Sequence, residues 1–175
     1  MSFFIQAGAP RNFKSLSDDG DTLSEAIEAV FSSSNEYVVL VWNYIPLLLD
    51  YKYDISFMID DVLMIIEEMK AKESGEIKNY WVSNTFPHIW TFKWGGPMLK
   101  IESEWGEIGN KTEHLLNESG PVTIEKEAFI AEWKAVFNIL IKHVQEAGYD
   151  ESKFTDMKRL VQIEQSIKSK GRLYT

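Results

Sequence analysis

Glu102 and Glu104 are the pair of side chains whose type and spacing come nearest to chemistry. Two residues apart on one strand, they share a face with their Cα atoms about 7 Å apart, near enough in principle for one carboxylate to act as acid and the other as base in a hydrolytic reaction. Lys93 and Lys100 alternate with them, so a solvated strand face or a contact with a protein partner accounts for the pair equally well. The histidines offer less. His88, His114 and His143 lie far apart with no H-x-x-x-H or H-E-x-x-H spacing, so any zinc site would have to be assembled by tertiary structure alone. Glu113 beside His114 has the types for proton transfer, but adjacent residues seldom converge on one substrate atom. The chain has no cysteine, which removes disulfides, thiolate metal sites and a cysteine nucleophile. The motifs G-x-S-x-G, G-x-x-x-x-G-K-S/T and G-x-G-x-x-G are missing, and the paired glycines Gly95 and Gly96 stand in a turn rather than before a helix. No catalytic residue, cofactor or metal is assigned.

The element that must position the glutamates is a hairpin, Phe86 to Trp105. Folding its arms about Gly95 and Gly96 sets Phe92 opposite Leu99, Trp90 opposite Ile101, His88 opposite Ser103 and Phe86 opposite Trp105, which makes one face apolar. Thr91, Lys93, Lys100, Glu102 and Glu104 take the other. Pro97 has no N–H to close a two-residue turn, so a longer loop is expected there. Trp90, Phe92, Trp94 and Trp105 either pack against the long helices or form an aromatic platform for a sugar or peptide. Trp94, beside the turn, is expected to protrude.

Around the hairpin the sequence gives an order βαβαβββαα. Ser2 to Gln6 reads as a strand, a Gly/Pro/Asn-containing loop runs through Asp19, and Thr22 to Glu25 is a capping box for a short helix ending near Ser32. Glu36 to Ile45 is apolar on both alternations and reads as a central strand covered on both faces, with Pro46 ending its pairing. Asp54 is placed as the cap of a core helix that Gly75 stops. Ile77 to Ser83 is a further strand, and Gly106 to Gly120 is a long polar loop with one turn of helix around Glu113 to Asn117. Thr123 is expected to cap the strongest helix, striped by Phe129, Trp133, Phe137 and Leu140 and ended by Gly148. Asp150 starts a weaker helix with a basic tail of Lys168, Lys170 and Arg172. The fold class expected is α+β, one domain over residues 1–175, with a mixed or antiparallel sheet of about five strands and long helices packed mainly on one face.

With 175 residues, 45% of them hydrophobic, the chain can bury a sizeable core unaided. No apolar run reaches the roughly 18 residues that a membrane span requires, and Met1 to Gln6 lacks the pattern of a signal peptide, so a cytoplasmic address is expected. The formal net charge of −9 opposes non-specific binding to nucleic acid and anionic membranes and attracts basic partners. The acid is uneven. Asp18, Asp19, Asp21, Glu25, Glu28 and Glu36 run without a Lys or Arg, and Glu102, Glu104, Glu107, Glu113 and Glu118 enclose only Lys111.

A small, cysteine-free, acidic α+β chain with the hairpin WTFKWGGPMLKIESEW resembles the immunity proteins that bacteria encode beside polymorphic or contact-dependent toxins. The likeness is one of type and carries over no binding residue. It implies a non-enzymatic cytosolic binder that blocks a cognate, often basic, toxin domain. The contact patch expected on that reading is Glu102, Glu104, Glu107 and Glu113 with Trp94 and the Gly106 to Gly120 loop. The alternative is a small hydrolase or ligand-binding domain using the hairpin aromatics and the Glu102/Glu104 pair. Self-association through an exposed hairpin edge is a third reading.

Overall fold

The computed structural model describes residues 2–10, 21–32, 37–83, 85–107, 111–149, 152 and 154–168. Asp18, Asp19, Glu36, Asn110, Asp150, Lys170 and Arg172 lie outside them. The architecture is α+β, built on two antiparallel sheets rather than one. The first sheet joins β1 (Phe3–Gln6), β2 (Tyr37–Trp42) and β3 (Ile45–Asp50) in that order, and the second joins β4 (Ser74–Tyr80), β5 (Ile89–Gly95), β6 (Met98–Glu104) and β7 (Val122–Glu125). The helices are α1 (Leu23–Val30), α2 (Ser56–Ala71), α3 (Glu113–Ser119), α4 (Lys126–Glu146) and α5 (Thr155–Ser166).

Several elements stand where the residues place them. Thr22 caps α1 by accepting from the Glu25 N–H at 3.2 Å, while the Glu25 carboxylate accepts from the Thr22 N–H at 3.2 Å, so two N–H groups that the first turn leaves open are satisfied. β2 is central in its sheet, but it is not covered on both faces: Tyr37 and Val39 on its outer side are only half-buried. Gly148, at φ 96°, ends the chain path of α4, its N–H donating to the Gln145 carbonyl at 2.9 Å.

Other expectations fail for identifiable reasons. Pro46 does not end the pairing. Asn43 and Tyr44, at φ 45° and 70°, form a two-residue turn that sends β3 back along β2. Pro46 then faces Val41 in a pair that needs no proline N–H. Asp54 does not cap α2: Asp50 accepts from the Lys52 and Tyr53 N–H groups at 2.7 and 3.2 Å, and one π-helical turn, Tyr51–Ile55, leads into the helix. Gly75 lies inside β4, after the helix has ended. Thr123 belongs to β7, because Val122 and Ile124 alternate inward beside Ile101 and Leu99, and the Lys126 N–H at the start of α4 is satisfied by the Pro97 carbonyl.

The β5–β6 register also differs. Gly95 pairs with Met98, so Trp94 faces Leu99, Phe92 faces Ile101 and Trp90 faces Ser103. A two-residue turn is closed by the N–H of the residue after it, here Met98, so the lack of an N–H on Pro97 does not matter and no longer loop is needed. Gly96 supplies the positive φ of 56°. The slip is two residues, so every side chain keeps its expected face.

Both sheets turn their apolar faces inward onto one contiguous core. Its centre is aromatic: the Trp90 ring lies 5.1 Å from Trp42, 5.4 Å from Trp81, 5.9 Å from Trp105 and 6.4 Å from Phe3, so rings from both sheets meet on it. Helix α4 joins through Phe129, 5.2 Å from Phe3 and 5.8 Å from Phe92.

Candidate functional site

On the outer face of the second sheet the alternation along β6 brings Glu102 and Glu104 to one side, with Lys78 of β4 and Lys93 of β5 beside them. Neither glutamate is a free acid. Lys100 and Lys93 hold the Glu102 carboxylate at 2.6 and 3.0 Å, and their hydrogen bonds and charge pull its pKa down to about 2. Lys78 pairs with Glu104 at 3.0 Å. A carboxylate locked between two ammonium groups is a poor general acid near neutral pH because it holds no proton to give, and a poor general base because its affinity for one is low.

Trp94 does not protrude. It is 5% exposed, on the opposite face from the glutamates, with its indole N–H donating to the Lys72 carbonyl at 3.1 Å. The absent side chain of Gly75 leaves room for its ring. The structure thus separates Trp94 from the carboxylates it was expected to accompany, and the aromatic face is core rather than platform.

His88 belongs to that core. It is 1% exposed between Phe86 and Trp105, at ring distances of 4.4 and 4.8 Å, and its Nδ1 accepts from the Gly106 N–H at 2.9 Å. Burial pushes its pKa down to about 4, so the imidazole is neutral and structural at physiological pH. Asp54 is likewise occupied: it accepts from the Ser83 and Thr85 hydroxyls and from the Asp50 N–H. Among the described residues no group of three or more His, Cys, Asp or Glu is placed to hold a metal ion, and no helix is long and apolar enough to cross a membrane.

A second surface, which the sequence reading passed over, is the outer face of the first sheet. The cross-strand partners there are Phe4 and Val41 with Pro46, and Gln6 and Val39 with Leu48. No residue from Tyr37 to Leu49 carries a charge. Leu48 is 61% exposed and Tyr44, at the hairpin tip, 77%. The signal was present as two apolar runs of equal length on either side of Asn43, which is a hairpin pattern.

The edges of this sheet are poor templates for strand addition. The turn makes Trp42 and Ile45 a hydrogen-bonded pair, so the outward N–H positions on β3 are Pro46, Leu48 and Asp50. Proline has no N–H, and the Asp50 N–H is taken by the Asp54 carboxylate at 2.8 Å. On the other edge the Ile5 N–H donates to Glu132 of α4 at 3.1 Å.

The acidic segment adjoins this hairpin. The Asn43 side-chain amide donates to the Ser119 and Gly120 carbonyls at 2.9 and 3.0 Å, and the Trp42 indole N–H donates to Gly120 at 3.0 Å. Glu118 is exposed one residue before those carbonyls, Glu113 opens the same short helix, and Glu107 is exposed just after β6. Of the residues expected at a contact patch, Glu113 therefore lies on the helix tied to the hairpin tip, whereas Glu102 and Glu104 lie on the ion-paired sheet.

No protein-family model, curated protein or solved structure matches this chain.

Proposed function

We propose that this chain is a non-enzymatic protein-binding protein that neutralises a basic partner, as immunity proteins neutralise toxins. The observation that carries the reading is the outer face of β1–β2–β3, uncharged from Tyr37 to Leu49 with Asp50 at the end away from the tip, with Leu48 and Tyr44 exposed, set beside the Glu118 carboxylate of the α3 segment. An exposed apolar patch rimmed by polar groups marks a contact surface in an otherwise charged chain. Carboxylates at its rim speed association with a cationic protein and reject anionic competitors. Glu118, exposed on α3, is better suited to that work than Glu102, whose charge is already matched by two lysines, and than Glu113, which is half-buried with its Oε2 shielded from water.

The test is affinity capture from the source cell with the folded protein as bait, at low and high salt. The reading expects a basic protein at one-to-one stoichiometry, weakened by salt and lost with Leu48→Lys. No stoichiometric partner, or one that Leu48→Lys leaves in place, contradicts it.

A further inference from the structure

The tip of the β2–β3 hairpin carries a conformational strain that the fold does not use. Two-residue turns of this kind require positive φ at both central positions, which asparagine tolerates and glycine prefers. Asn43 obeys the rule. Tyr44 breaks it: a bulky side chain sits at φ 70°, in the left-handed region, where its Cβ crowds the following carbonyl. Packing does not compensate, since 77% of Tyr44 faces solvent. A glycine there would serve the hairpin better, so the ring has a use outside the chain. Strain held at an exposed position, with its surroundings fixed, is the signature of a preorganised contact.

The surroundings are fixed. Asn43 is clamped to Ser119 and Gly120 through its side chain, and its N–H donates to the Ser2 carbonyl at 2.6 Å. The edge beside the tip is a poor template for a partner strand, because Pro46 lacks a donor and the Asp50 N–H is taken, which leaves only the Leu48 N–H between them. Contact by side chains, tip first, is favoured.

We propose that Tyr44 is the anchor residue of the binding surface, inserting its ring into an apolar pocket of a cationic protein whose Lys or Arg side chains around the pocket meet the exposed Glu118 on α3. This rests on the protein-binding reading above and names the residue and the partner chemistry. Tyrosine suits the role: it brings a large rigid area and one polar tip, and its entropy cost on binding is small. The charge argument selects a cationic protein over a second copy of this chain, because two copies would bring the same carboxylates together in a chain of net charge −9.

The experiment uses the full chain and, as probe, the purified protein retained at one-to-one stoichiometry in the capture described above. Tyr44→Gly, Tyr44→Phe and Leu48→Lys are compared with wild type for affinity, thermal midpoint and mass in solution. The expected result is a basic captured protein that binds wild type, binds Tyr44→Phe within about fivefold, and binds Tyr44→Gly at least about 30-fold more weakly. The Tm of Tyr44→Gly should equal or exceed wild type, since glycine relieves the strain. A Tm several degrees lower would make the ring a structural element and overturn the proposal. Binding lost in Leu48→Lys but kept in Tyr44→Gly removes the anchor and leaves the protein-binding reading standing. Capture of no one-to-one partner overturns both. A wild-type dimer that Tyr44→Gly dissociates assigns the tip to a second copy and overturns the cationic partner.

Discussion

The side-chain amide of Asn43 donates to the carbonyl of Gly120 at 3.0 Å, across 77 residues of sequence. This bond ties the apolar hairpin of one sheet to the acidic segment that feeds the other. Asn43→Gly keeps the turn conformation and removes the bonds to Ser119 and Gly120. It should destabilise the fold by about 1–3 kcal/mol, read from the urea midpoint at unchanged m-value. A variant as stable as wild type would show that the clamp contributes nothing.

His88 makes stability depend on pH. Its folded pKa of about 4 lies below the ordinary value of 6.5, so the unfolded chain binds the proton more readily. The contribution is fully present above pH 6.5 and declines as pH falls towards 4, by an amount on the order of 3 kcal/mol. His88→Asn retains an acceptor for the Gly106 N–H and has nothing to titrate. Urea unfolding at pH 7.5, 5.5 and 4.5 should show a smaller acid loss in that variant than in wild type.

Gly75 and Trp94 are matched in shape. A Cβ at residue 75 would lie 2.3 Å from Cζ2 of Trp94, and the ring cannot swing clear without surrendering its bond to the Lys72 carbonyl. Gly75→Ala should cost about 1–3 kcal/mol by overpacking and expose the indole, seen as a red shift in tryptophan emission.

Trp90 is the ring on which the two sheets meet, and it is wholly buried. Trp90→Ala should cost about 3–5 kcal/mol, and its loss should loosen both sheets together rather than one. Hydrogen exchange would report this as faster exchange in β2 as well as in β5.

Much of the fold was legible because two periods decide it. The α1 capping box, the core stripe of α4 and the two-faced β5–β6 hairpin all follow from local spacing, and each stands in the structure. What escaped were features set by turns and by partners distant in sequence. Pro46 read as a strand breaker because the turn at Asn43 and Tyr44 lacks glycine, and with that turn missed the division into two sheets was lost as well. Val122–Glu125 was hidden because threonine and glutamate signal a helix start as readily as a strand. At the site, sequence alternation correctly put Glu102 and Glu104 on one face. It could not show that Lys78, from another strand, pairs with Glu104, or that Trp94 has a bed prepared by Gly75. Nor could it place α3 against the hairpin tip, which depends on bonds between residues 43 and 120.

The central claim is that the partner meets the outer face and tip of the β1–β2–β3 sheet and not the ion-paired face of the other. Hydroxyl-radical footprinting of the protein with its captured partner tests this most directly, because each face carries exposed reactive side chains. Tyr44 and Leu48 report on the first, Tyr80 and Met98 on the second. The account predicts that oxidation of Tyr44 and Leu48 falls in the complex while Tyr80 and Met98 react as they do in the free protein. Protection of Tyr80 and Met98 with Tyr44 still reactive would contradict it and return the contact to the Glu102 and Glu104 face.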